Sequence, residues 1–213
     1  MITANKQKNY VWYASYGSNL SKDRFLCYIK GGRPKGSEKI EVGCRDQSLP
    51  IAEETYIMRY PLYFAKESTR WQNQGVAFIG LNKDQSNYTY SRQYLITVEQ
   101  FKDVVKQEND GSEVNLDLTK VIKQGAMKFR DSWYGTVLYL GEKEGYPILT
   151  FTSDWDLDVP MKQPSKEYLS MIIHGLKTTI VLSNQQIFHY LLTKPGIIGH
   201  YTKEQLMQVI EKA

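Results

Sequence analysis

Apolar and polar positions along the chain fall into two periods, and the switch between them predicts its elements. Residues 9–15 (Asn-Tyr-Val-Trp-Tyr-Ala-Ser) form an aromatic-rich run that predicts a first strand. Further strands are predicted over 60–65, where Pro61 sits near the start, and over 75–81, 88–96, 133–140 and 146–152. Residues 66–74 read as a polar connection containing Trp71, 82–87 as a turn, and 141–145 as a hairpin turn with glycine at both ends. The helical period appears in five places. Ser21 opens a stripe of Phe25, Leu26 and Ile29, which Gly31 and Gly32 close. Thr97 with Gln100 forms a capping box ahead of Phe101, Val104 and Val105. Ser165 caps Leu169, Ile172, Ile173 and Leu176. Ser183 with Gln186, and Thr202 with Gln205, open the last two, which carry Ile187, Tyr190 and Leu191, then Leu206, Val209 and Ile210. Residues 112–128 alternate without a clear period, and 154–164 read as a polar loop. This order of elements predicts an α+β fold.

Composition narrows the class. A chain of 213 residues suits one domain and buries roughly 70% of its unfolded surface, so it needs neither disulfides nor a metal to stand. Its 41% hydrophobic and 23% charged residues are ordinary for a globular protein, and the net charge of +4 is small. Basic residues are interspersed with acidic ones, so no nucleic-acid partner is expected. The loop over 31–43 has a basic character (Arg33, Lys35, Lys39) and reads as solvated. Sixteen tyrosines lie largely in strand-like segments and are read as core and sheet surface. Cys27 and Cys44 form no CxxC pair and are expected to be reduced thiols. No apolar run approaches the ~20 residues of a membrane span, and residues 1–8 carry no apolar signal core. A cytoplasmic protein without a membrane partner is the expectation.

Two places carry candidate chemistry. The first is Tyr16, Gly17, Ser18, Asn19 and Leu20, between the first strand and the first helix. Glycine lets a ligand approach closely and tolerates positive φ. Ser18 and Asn19 bring short polar groups, and a helix starting just beyond leaves N–H groups that favour an anion. The stretch is therefore a candidate seat for a carboxylate or an oxyanion; an ordinary strand-to-helix connection is the alternative.

The second is Glu108. It occupies the i+7 position of the face made by Phe101, Val104 and Val105, so it is expected to point along the apolar stripe at the helix C-terminus. Burial and the negative end of the helix dipole both disfavour a charged carboxylate there. A carboxyl raised from its ordinary ~4.3 toward neutrality suits general acid/base work. A glutamate that reaches out to water from a frayed helix end is the alternative.

Tyr-Gly-Ser-Asn-Leu after a first strand resembles the signature of the γ-glutamylcyclotransferase family. The order of the later segments is similar too: Gln74-Gly75-Val76-Ala77-Phe78-Ile79, then Tyr94-Leu95-Ile96, then the helix from Phe101 to Glu108. The family often has glycine after its catalytic glutamate, whereas this chain has Asn109, with Gly111 two positions on. Asparagine also tolerates left-handed geometry. Among Glu108, Glu99 and Glu113, Glu108 fits order and facing best. The resemblance implies a small mixed β-barrel flanked by helices over residues 9–192, with 193–213 as a helical appendage. It implies cyclisation of a γ-glutamyl amide to 5-oxoproline, with Glu108 as catalytic acid/base and residues Tyr16 to Leu20 holding the substrate. It implies no cofactor. The partner is then a small γ-glutamyl compound; the leaving amine and the oligomeric state are not legible. A non-catalytic member that retains the pocket to bind a small metabolite is the rival expectation.

Other chemistries have no foothold in the sequence. His174, His189 and His200 lack metal-ligand spacing, so no metal site is expected. No GxSxG elbow, P-loop or GxGxxG is present.

Overall fold

The computed structural model describes residues 9–34 and 40–213, with Arg70 described by its backbone alone. Lys35 and Lys39 of the expected basic loop, and residues 1–8, lie outside the described residues. The chain order is β1 (Tyr10–Ser15), α1 (Lys22–Lys30), β2 (Ala52–Met58), β3 (Leu62–Ser68), β4 (Gln74–Ile79), β5 (Thr89–Thr97), α2 (Val98–Glu108), α3 (Leu118–Gln124), β6 (Ala126–Lys128), β7 (Thr136–Lys143), β8 (Tyr146–Thr152), α4 (Lys166–Thr178), α5 (Asn184–Leu192) and α6 (Lys203–Lys212). The class is α+β, as the sequence predicts. No helix among the described residues is long and apolar enough to cross a membrane.

Six strands form one mixed sheet in the order β2-β5-β1-β8-β7-β6. β1 runs antiparallel to β5 and parallel to β8. Its alternation divides the core in two. Val11 and Tyr13 face Phe25 and Ile29 of α1, Phe101, Val104 and Val105 of α2, and Val121 of α3. Trp12 and Ala14 face the β3–β4 hairpin and helices α4, α5 and α6, whose Leu206, Val209 and Ile210 lie in that same cluster. Full burial of one such side chain contributes about 1.5–3 kcal/mol.

The expected small β-barrel takes the form of this six-stranded sheet with a separate β3–β4 hairpin beside it. β3 and β4 pair only with each other as a ladder, and they meet the end of β8 through Thr152. Its hydroxyl donates to the Ile79 carbonyl at 2.8 Å and accepts from the Ile79 N–H at 3.2 Å. Tyr63 and Ser153 hydroxyls bond at 3.1 Å beside it.

Several local expectations are corrected. β2 and the pair α3–β6 have no counterpart in the sequence reading. β3 extends to Ser68, so part of the expected polar connection is strand. Gly141 belongs to β7, at an irregularity after Tyr139, and the turn is confined to residues 144–145. Ser21 is the N-cap of α1 but makes no side-chain capping bond. The three capping boxes at Thr97, Ser183 and Thr202 form as predicted. Both cysteines are free thiols, with Cys44 buried.

Candidate functional site

A cavity of about 760 Å³ opens beside the C-terminal end of β1 and is lined by residues from both candidate stretches. Tyr16, Gly17, Ser18 and Asn19 line it, and so does Glu108. Leu20 does not: it is 1% exposed and belongs to the core packed against α4. Glu99 is exposed in the first turn of α2, and Glu113 is exposed and paired with Lys106; neither reaches the cavity.

The motif turn is held from several sides. Ser18–Leu20 form a single 3-10 turn in which the Leu20 N–H donates to the Gly17 carbonyl at 3.0 Å and the Ser21 N–H to the Ser18 carbonyl at 3.2 Å. The Leu20 N–H is thus occupied. Among the described residues neither the Ser18 nor the Asn19 N–H has a backbone acceptor, which leaves those two to meet an anion. The Tyr16 hydroxyl donates to the Phe151 carbonyl at 2.9 Å. The Tyr94 hydroxyl donates to the Asn19 carbonyl at 3.0 Å, and the Thr179 hydroxyl to the Leu20 carbonyl at 3.1 Å.

Gly17 has φ −104°, so positive φ is not the reason for glycine here. Close approach is: a Cβ at Gly17 lies 3.2 Å from the Tyr168 hydroxyl, which accepts the Ala77 N–H at 3.1 Å. From behind, α4 crosses the turn at Gly175. A Cβ there falls 2.5 Å from the Leu20 Cβ and 3.0 Å from its carbonyl carbon. Hydrogen at this one position of α4 lets the helix seat against the motif.

Arg24 was not singled out by the sequence reading. It is 5% exposed on α1 and lines the cavity. Its Nε donates to the Ser18 Oγ at 2.7 Å, and its guanidinium carbon lies 5.6 Å from the Trp71 ring centre. Its Nη1 is buried without a hydrogen-bond partner. The available signal was Tyr28, four residues on, which extends the buried face of α1 past the Phe25 and Ile29 stripe.

Glu108 is the last residue of α2 and is half-buried, along the face of the fully buried Phe101, Val104 and Val105. Tyr13 and Tyr134 stand within its field. Burial pushes both phenols well above their ordinary range, and the Glu108 charge adds to the rise in each. Both therefore stay protonated donors at neutral pH. Asn109 has φ −114°, so the left-handed geometry lies instead at Asp110 and Gly111. The Asn109 amide donates to the Val105 carbonyl at 2.8 Å and the Tyr134 carbonyl at 3.2 Å, and its oxygen accepts from the Ser132 hydroxyl. This ties the end of α2, and Glu108 with it, to the segment carrying Tyr134. Among the described residues no three His, Cys, Asp or Glu side chains cluster as a metal site.

The geometry defines an α+β protein in which a cavity joins a pinned polar turn to a carboxylate. No family model matches the chain. Among curated proteins it is 38% identical over 202 residues to histone deacetylase 5 of Arabidopsis thaliana, a match covering 85% of this chain and 30% of that protein. The chain thus spans under a third of the length of that relative. Among solved structures, the uncharacterised human protein loc79017 superposes with a TM-score of 0.51 at 14% identity, over 96% of this chain and 99% of that one. A γ-glutamyl cyclotransferase gives a TM-score of 0.48 at 15% identity, over 96% and 100%. A glutathione-specific γ-glutamyl cyclotransferase from yeast gives 0.35 at 12% identity, over 96% of each. The likeness to the human protein is one of fold.

Proposed function

We propose that this protein cyclises a γ-glutamyl amide to 5-oxoproline and releases an amine. The observation that carries the reading is that the Tyr16–Asn19 turn and Glu108 line the same cavity. The nucleophile belongs to the substrate. Glu108 takes a proton from the α-ammonium group, and the freed amine attacks the γ-carbonyl carbon. A ring C–N bond forms, Glu108 passes its proton to the leaving nitrogen and the original C–N bond breaks; the ring nitrogen then gives up its second proton through Glu108 to the released amine, which leaves as the ammonium. The Ser18 and Asn19 N–H groups are the donors available to the oxyanion of the tetrahedral intermediate. Holding amine and carbonyl in attack geometry supplies much of the barrier reduction, since effective molarities of such pairs reach ~10⁵ M or more. The sequence motif supports this assignment.

The test is incubation with a panel of γ-glutamyl amides and measurement of 5-oxoproline. Accumulation of 5-oxoproline with one amine released per ring closed is expected. Ligand binding without product across the whole panel would replace this reading with that of a metabolite-binding protein.

A further inference from the structure

We propose that Arg24 is the anchor for the α-carboxylate of the bound ligand and that the Ser18 hydroxyl is its positioning partner. The proposal rests on the γ-glutamyl reading for the identity of that carboxylate. An arginine that is only 5% exposed normally has an anion beside it, because an unpaired buried charge is costly. Arg24 has none: among the described residues no carboxylate forms an ion pair with it, and its Nη1 has no acceptor. What it does have is orientation. Ser18 accepts from Nε at 2.7 Å, and the Trp71 ring lies against the guanidinium at 5.6 Å. Ser18 thereby fixes one edge of the fork, Nη1 is left without an acceptor, and the residue lines the cavity. A carboxylate is the planar, two-oxygen anion that matches this fork.

This divides the motif's roles. Arg24 takes the carboxylate, so the Ser18 and Asn19 N–H groups are left for the oxyanion. The Ser18 hydroxyl accepts the Arg24 Nε bond and orients the anchor.

The test measures affinities of the full chain by calorimetry for 5-oxoproline, its carboxamide and unsubstituted 2-pyrrolidone. The wild type is expected to bind 5-oxoproline at least 10-fold more tightly than the two uncharged rings. Arg24→Met is expected to abolish that preference while leaving 2-pyrrolidone affinity unchanged, and Arg24→Lys to restore part of it. Ser18→Ala is expected to weaken the preference, without removing it. Absence of any carboxylate preference in the wild type overturns the anchor whatever the variants do, as does a preference that persists in Arg24→Met. If the preference holds and depends on Arg24 while no γ-glutamyl amide is turned over, the anchor stands and the cyclisation reading fails. Turnover with no carboxylate preference overturns the anchor alone.

Discussion

The two walls of the cavity are built in opposite ways. The motif wall comes from nine consecutive positions, Tyr16 to Arg24, and is fixed from behind by remote groups: the Tyr94 and Thr179 hydroxyls, and α4 at Gly175. It offers donors and a positive charge. The Glu108 wall joins the end of α2 to a segment more than twenty residues later through Asn109, Ser132 and Tyr134. It offers one half-buried carboxylate. On the proposed chemistry the first wall recognises and the second moves protons. A rigid, enclosed donor wall suits recognition, because its groups are oriented before ligand arrives. A partly open carboxylate suits proton transfer, because it must exchange protons with water between turnovers.

Removing the proton carrier should separate the walls most sharply. Glu108→Gln keeps shape and hydrogen-bonding capacity, so kcat for 5-oxoproline formation is expected to fall ~10²- to 10⁴-fold with KM nearly unchanged. Glu99→Gln, on exposed surface, is expected to leave both constants as they are. The reverse pattern, a dead Glu99 variant and an active Glu108 variant, sinks the assignment of the second wall.

Gly17→Val attacks the first wall. Its Cβ sits 3.2 Å from the Tyr168 hydroxyl, so the branch displaces that ring and enters the space beside the turn. Affinity for a γ-glutamyl ligand is expected to drop at least about 10-fold, with a loss of overpacking size, ~1–3 kcal/mol, in stability. An unaltered dissociation constant would count against the turn as the ligand seat.

Gly175→Ala reaches the same wall from behind without touching the cavity. Alanine gains about 1 kcal/mol in helix propensity, and the 2.5 Å contact with Leu20 costs ~1–3 kcal/mol in overpacking. A net destabilisation of up to about 2 kcal/mol is expected in urea unfolding, with KM raised and kcat little changed. A stabilised variant with native KM would show that α4 does not seat the motif.

A third region lies outside both walls and sharpens the comparison by its independence. Lys194 is 3% exposed; its ammonium donates to the Tyr88 carbonyl at 2.9 Å and lies 4.5 Å from the Tyr190 ring centre. Burial pulls its pKa down to about 8 from 10.5. Below pH 8 the lysine is charged both folded and unfolded, and the full burial penalty applies. Above pH 8 the folded form releases its proton while the unfolded form keeps it to 10.5, so stability rises over that interval. The expected gain between pH 8 and 10 is ~1–2 kcal/mol. Above about pH 10 ionisation of tyrosines in the unfolded chain reverses the trend, because burial holds Tyr13, Tyr16 and Tyr134 protonated in the folded one. Lys194→Met should flatten the rise without altering ligand affinity. A rise that persists in Lys194→Met assigns it to another group.

The sequence by itself determined whatever is settled within a turn or two of chain. The capping boxes at Thr97, Ser183 and Thr202 were legible because cap, N3 residue and apolar stripe lie within a few positions, and side-chain reach decides the outcome. The facing of Glu108 followed from the same periodicity, and the motif from five adjacent letters. Tertiary structure decided the rest. β2, Ala-Glu-Glu-Thr-Tyr-Ile-Met, is a polar-rich strand whose pairing partner, β5, lies more than thirty residues away, so no local alternation marks it. Arg24 reads as a solvated helix charge until β1, Trp71 and the motif turn close around it. Gly175 looks like an ordinary helix-weakening glycine until α4 meets Leu20, 155 residues earlier in the chain. In each case the deciding contact joins residues distant in sequence, and burial, which fixes what a charge or a missing Cβ means, exists only once they have packed.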